Sequence, residues 1–229
     1  MTLIRSIVTT TIFSIFLLSC GNRPVEESAE SSEVASKSVE PSGDWVSLFD
    51  GSTLQGWQVG ENASSFKMED GSIVAHGPRA HLFYVGNVQK HDFKNFEFKA
   101  DVMTTPGSNS GIYFHTEFQE DGWPKKGYEV QVNNSQEDWR RTGSLYAIKD
   151  IKEVYVEDDT WYTEHIRVDG KNVTIKVNDQ VVVEYTEPAN VEREENMKGR
   201  RLSSGTFAFQ AHDPDSKVYF KNIMVRPLP

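Results

Sequence analysis

The chain has 229 residues, with 34 acidic against 24 basic side chains, a formal net charge of −10 and one cysteine. So acidic a balance excludes a partner held by phosphate neutralisation, and no nucleic-acid partner is expected. With 37% hydrophobic and 11% aromatic residues the chain can fill one sizeable core, which excludes disorder throughout.

Residues 1–19 read as an export signal. Arg5 is the early charge, and Ile7 to Leu18 runs apolar but is too short for a bilayer span of roughly 20 residues. The segment closes on Leu17-Leu18-Ser19-Cys20-Gly21, which resembles the bacterial lipobox. That resemblance implies cleavage before Cys20, lipidation of its thiol and membrane attachment through acyl chains, at about 0.8 kcal/mol per buried methylene. Gly21 stands where an Asp would mark inner-membrane retention, so the expected location is the outer membrane, on its periplasmic or cell-surface face. With Cys20 lipidated no thiol remains, and the exported domain must fold without a disulfide. Residues 20–43 therefore read as the lipidated cysteine and a disordered tether, rich in serine and carrying Glu26, Glu27, Glu30, Glu33 and Glu40 without an aromatic residue.

Residues 44–229 form the expected globular domain, and its apolar period is two almost everywhere. Phe66 to Met68 and Ile73 to Ala75 flank Glu69-Asp70-Gly71-Ser72 and read as a hairpin on an Asp-Gly turn. Phe96, Phe98, Ala100 and Val102 alternate with Glu97, Lys99 and Asp101. Val173, Ile175 and Val177 are expected to meet Val181, Val183 and Tyr185 across Asn178-Asp179-Gln180. The last strand, Val218 to Val225, changes period at Lys221-Asn222 as a bulge would make it. About twelve short strands in two antiparallel sheets, an all-β jelly-roll sandwich, suit this pattern.

Four strands carry an unusual polar set. In the first, Asn109 to Phe118, the alternation puts Ile112, Phe114 and Phe118 on one face and Tyr113, His115 and Glu117 on the other. The second, Tyr128 to Asn133, groups Glu129, Gln131 and Asn133. The third is Gly143 to Tyr146, and the fourth, Thr206 to Asp213, turns Gln210 and His212 alike. Any one of them reads as a solvated face; four together point to a site.

These segments carry a family resemblance. Leu48-Phe49-Asp50-Gly51-Ser52-Thr53-Leu54-Gln55-Gly56-Trp57, Asn109-Ser110-Gly111-Ile112, Gly127-Tyr128-Glu129-Val130-Gln131, Thr142-Gly143-Ser144-Leu145-Tyr146, Gln210-Ala211-His212 and Phe220-Lys221-Asn222-Ile223 together resemble the 3-keto-disaccharide hydrolase domain family over roughly Trp45 to Leu228. The resemblance implies a concanavalin A-like jelly roll acting on a glycoside already oxidised at carbon 3. Its implied substrate is an oxidised oligosaccharide or glycoside.

The residues can be tested against that chemistry. Retaining jelly-roll glucanases place carboxylates about 5 Å apart on one strand, as Glu-x-Asp-x-x-Glu, whereas this chain has Glu129-Val130-Gln131-Val132-Asn133-Asn134. With the second and third acids missing, plain retaining hydrolysis through that strand is not expected. A ketone at carbon 3 instead acidifies the carbon-2 proton and permits elimination, which needs a base, an enolate donor and an acid for the leaving group. The candidate bases are Glu129, His212 and His115. The substrate-binding candidates are Asn109, Gln131, Tyr146 and Gln210, with Trp123 and Trp139 as surfaces for a sugar face. A non-catalytic carbohydrate-binding module would use the same polar face without a base.

No cofactor and no metal are expected, although Asp213-Pro214-Asp215 and Glu157-Asp158-Asp159 could offer oxygen ligands to calcium. His76, His81, His91 and His165 lack ligand spacing. Arg140-Arg141 and Arg200-Arg201 read as solvated pairs on an acidic surface.

Overall fold

The computed structural model describes residues 43–229; the expected signal, Cys20 and the expected tether as far as residue 42 lie outside the described residues. Strands follow in chain order as β1 (Val46–Ser47), β2 (Trp57–Val59), β3 (Phe66–Glu69), β4 (Ser72–His76), β5 (Ala80–Tyr84), β6 (Phe96–Thr104) and β7 (Ser110–Thr116). They continue as β8 (Tyr128–Val132), β9 (Tyr162–Asp169), β10 (Asn172–Val177), β11 (Gln180–Thr186), β12 (Thr206–Ala211) and β13 (Lys217–Pro227). No α-helix occurs among the described residues.

Every ladder is antiparallel. One sheet runs β11-β10-β9-β6-β13-β4-β3, with β1 added on β13, and the other runs β2-β5-β12-β7-β8. Alternation explains the packing, since each strand turns its apolar set inward. Phe96, Phe98, Ala100 and Val102 of β6 share one core with Phe207 and Phe209 of β12, with the Phe98 and Phe207 rings 4.5 Å apart at their centroids. Phe209 stacks on Phe220 of β13 at 4.2 Å, which ties the two sheets together. This is the expected concanavalin-like jelly roll.

The turns are where chain chemistry sets register. Asp70 and Gly71 have φ of 48° and 74°, the left-handed pair that a two-residue hairpin between β3 and β4 requires. In β13, Lys221 pairs with Asp101 and Met224 with Lys99, so the expected bulge lies at Asn222-Ile223. The β10–β11 hairpin corrects one expectation. Val177 pairs with Gln180 and Lys176 with Val181, because Val182 is an extra residue in β11; Val181 is left 45% exposed.

A third bulge matters more for function. Tyr113 pairs with Ala208 but Thr116 pairs with Thr206, and His115 takes φ of 55°. The inserted residue reverses the alternation, so Phe118 does not join Ile112 and Phe114 in the interior as expected. It packs instead against Phe83 on the opposite face of the sheet, at 5.5 Å.

One buried acid sits inside the sandwich. Glu164 of β9 is fully buried, neither carboxyl oxygen has a hydrogen-bond partner, and burial pushes its pKa well above the ordinary value of 4.5. The unfolded chain releases this proton near pH 4.5 while the folded chain keeps it, so stability falls as pH rises above that value. Relative to Glu164→Met, wild-type stability is therefore expected to drop by about 1.4 kcal/mol per pH unit above pH 4.5, up to the folded-state pKa. Urea titrations of both proteins from pH 4 to 8 measure this, and parallel curves would contradict it.

Candidate active site

The outward face of the five-stranded sheet carries the polar set. Two cross-strand rows organise it. Phe83, Ala208, Tyr113 and Glu129 align across β5, β12, β7 and β8, and beside them His81, Gln210, Gly111 and Gln131 form the next row. The apolar members Phe83, Tyr113 and Ala208 pack as a small cluster separate from the main core.

Gly111 opens the floor between the rows. A Cβ there would lie 2.6 Å from Oε1 of Glu129 and 3.0 Å from its Cγ, so the missing side chain is what lets this carboxylate lie flat on the sheet. Glu129 is 5% exposed and held at both oxygens. Gln210 Nε2 donates to Oε1 at 3.0 Å, and Arg200 Nη2 donates to Oε2 at 3.2 Å. Gln210 Nε2 also reaches the Tyr113 hydroxyl at 2.9 Å. Burial, reinforced by the Glu129 charge, pushes the Tyr113 phenol well above its usual pKa, so it stays protonated.

Arg200 corrects the reading of Arg200-Arg201 as a solvated pair. Its side chain is only 11% exposed, and its guanidinium lies 5.4 Å from the Tyr113 ring centroid. Close backbone approach puts it there: Gly199 accepts from Gly127 N–H at 2.9 Å, and a Cβ on Gly199 would sit 1.7 Å from the Lys125 carbonyl oxygen. Arg140 and Arg141 are not free either. Arg140 pairs with Asp150 at 3.1 Å, while Arg141 Nη1 donates to Asn133 Oδ1 at 3.2 Å.

His212 follows β12 and lines the same cleft. Asp213 accepts from its Nδ1 at 2.5 Å and is itself held by the backbone N–H groups of Asp215 and Ser216, each at 2.9 Å. Burial opposes the Asp213 charge, but hydrogen bonds from His212, Ser216 and the Asp215 and Ser216 backbone outweigh it and lower its pKa. With Nδ1 donating to Asp213, the neutral ring carries its lone pair on Nε2. Asp213 thus acts as an orienting carboxylate, a role that the loop's sequence did not disclose.

The remaining candidates divide. Gln131 Nε2 donates to Asn109 Oδ1 at 2.7 Å, and both line the cleft. Tyr146 lines it too, beneath the Arg140 guanidinium at 4.7 Å. Its segment, Gly143 to Tyr146, is not the regular strand expected, because Leu145 turns back to bridge Lys149; its backbone still extends the β8 edge through Tyr146 N–H to Glu129 O at 2.9 Å. Trp123 borders the cleft, 43% exposed, with its ring 5.6 Å from His212 and 5.5 Å from His81. Trp139 lies outside the lining and instead packs against Arg140 at 4.9 Å and Lys152 at 5.1 Å.

His115 is also placed elsewhere. The bulge carries its ring toward Phe96 and Phe114, and both nitrogens are engaged by backbone, Nε2 with Lys94 O at 2.9 Å and Nδ1 accepting from Ser203 N–H at 3.2 Å. Burial lowers its pKa to about 4. This is a neutral structural histidine, not a base of the cleft.

The cleft encloses about 460 Å³, enough for a sugar unit with part of its neighbour. Among the described residues no group of three or more His, Cys, Asp or Glu side chains is placed to hold a metal ion. Of the acids considered as calcium ligands, Asp213 is engaged as above, and Asp158 accepts from Thr104 Oγ1 at 2.6 Å.

The five-stranded sheet of the jelly roll thus carries a polar, half-enclosed cleft bordered by tryptophan, the kind of face on which carbohydrate-related domains bind sugars. The chain belongs to the 3-keto-alpha-glucoside-1,2-lyase-like domain family, whose model matches residues 44–226. It is similar to a 3-keto-disaccharide hydrolase of Bacteroides thetaiotaomicron, 32% identical over 77 residues, which cover 31% of this chain and 27% of that protein. The match thus spans about a quarter of that relative's length. Among solved structures, a protein of Parabacteroides distasonis assigned as a glycosyl hydrolase superposes with a TM-score of 0.69 at 24% identity, over 82% of this chain and 94% of that one. The carbohydrate-binding module CBM66 of Bacillus subtilis superposes at 0.53 and 14% identity, over 75% and 95%. Both show the shared fold.

Proposed function

We propose that this domain cleaves 3-keto-glycosides by removing the carbon-2 proton, expelling the carbon-1 substituent and then adding water. His212 Nε2 takes the proton; the C2–H electron pair forms a C2=C3 bond as the carbonyl becomes an enolate. When the enolate collapses, C1=C2 forms and the C1–O bond breaks, and the departing oxygen takes a proton from the His212 imidazolium. Water then adds across C1=C2, giving hydrolysis overall. Asn109, Gln131 and Tyr146 orient sugar hydroxyls, and Trp123 covers a sugar face. The observation that carries this reading is the His212–Asp213 pair in one cleft with the buried Glu129–Arg200 pair. Family membership and the name of the B. thetaiotaomicron relative support it. Attachment through lipidated Cys20 at the outer membrane is part of the same proposal, resting on the lipobox resemblance alone.

The test is to mix the protein with 3-keto-disaccharides and with their unoxidised parents in deuterated water. Sugar release and carbon-2 exchange from the keto forms only are expected by NMR. Saturable shifts with neither release nor exchange would replace this reading with that of a carbohydrate-binding module.

A further inference from the structure

Two side chains that line the cleft each keep a buried polar atom without a hydrogen-bond partner: Nη1 of Arg200 and Oε1 of Gln210. Each orphan normally costs about 1–3 kcal/mol, so a folded site that keeps both is built to have them satisfied by something it binds. Their orientations are fixed. Gln210 must turn its amide nitrogen toward Glu129 and Tyr113, because a carboxylate only accepts, and this aims its carbonyl oxygen away from them. Arg200 spends Nη2 on Glu129 Oε2, which leaves Nη1 as a charged donor without a hydrogen-bond partner. Glu129 stands between the two, bonded to Gln210 through one oxygen and to Arg200 through the other.

We infer that Arg200 Nη1 receives the carbon-3 carbonyl oxygen and carries its charge in the enolate, while Gln210 Oε1 accepts from the hydroxyl on an adjoining carbon. This inference rests on the proposed reaction and names the group that stabilises its intermediate. An arginine suits the role because it stays charged and gives up no proton: the enolate is stabilised without being quenched, and its electron pair remains available to expel the carbon-1 oxygen. Glu129 is then a positioning residue, holding the guanidinium in place. The orphan donor and acceptor together match a carbonyl beside a hydroxyl, the pattern of a 3-keto sugar.

Arg200→Lys and Arg200→Ala are compared with wild type for carbon-2 exchange, turnover of a 3-keto-disaccharide, and affinity for its unoxidised parent. The expected result is a fall of about 10²–10³ in kcat and exchange for both variants, since a lysine's point charge lacks the fixed fork. Affinity for the parent sugar, whose carbon-3 oxygen carries no developing charge, should fall far less than kcat, and added guanidinium should restore Arg200→Ala by tenfold or more. Equal loss of parent-sugar binding would reduce Arg200 to a structural prop and overturn the assignment. So would an Arg200→Lys protein with wild-type exchange, which also decides the matter if Arg200→Ala does not fold. Absence of exchange in the wild type would overturn the proposed reaction and this inference together.

Discussion

His212→Ala is expected to lower kcat/KM for a 3-keto-disaccharide by about 10²–10⁴, the range for losing a positioned general base, while the thermal midpoint moves little. The ring is a third exposed and its aromatic neighbour is the half-exposed Trp123, tilted at 47°, so little core is lost with it. Asp213→Asn sharpens the test. Oδ1 can still accept from Asp215 and Ser216, so the turn survives, but the new amide faces Nδ1 with a donor. The imidazole must then carry its lone pair on Nδ1 and a proton on Nε2, the wrong tautomer for taking a proton from substrate. Asp213→Asn should therefore approach the His212→Ala loss without altering the fold. Steady-state rates with circular dichroism check both, and a His212→Ala enzyme within threefold of wild type would remove this base from the mechanism.

How much of this was legible in the sequence follows from what alternation can and cannot encode. Period two placed Glu129, Gln131 and Gln210 on one face because a regular strand carries that information in every second residue. The same rule failed at His115, where one inserted residue reversed the parity; the chain offers no Gly or Pro there to announce the left-handed φ. Arg200 was hidden for another reason. It sits in an irregular segment between the short 3-10 turn at Glu195–Met197 and β12, and only the Gly199 contact with Lys125 and Gly127 carries it into the cleft. A glycine directly before a paired arginine was the one signal available. Asp213 could have been anticipated better, since an Asp followed by Pro and another Asp commonly closes an Asx turn, and its second oxygen is then free for a neighbouring histidine.

Buried pairs such as Glu129–Arg200 tolerate little displacement, because separating them leaves both charges without compensation in a medium that screens weakly. Gly111→Ala is the substitution that exploits this. The added Cβ would stand 2.6 Å from Oε1 and 3.2 Å from Cδ of Glu129, well inside contact distance. A free glutamate would swing aside, but this one is fastened by Gln210 and Arg200, so the whole trio must shift or the sheet must open. Overpacking of this kind costs about 1–3 kcal/mol of stability. The effect on rate should be larger, at least about 10²-fold in kcat/KM, since a displacement near 1 Å in a positioned group has that consequence. Ser110→Ala is the matched control: it lies one residue away on the same strand, and its hydroxyl donates to the Gln210 backbone carbonyl at 2.6 Å on the buried side without touching the carboxylate. It should lose stability with little loss of rate. Gly111→Ala with full activity would mean that the Glu129 carboxylate need not occupy this position for the reaction, and the cleft's central ion pair would then serve the fold alone.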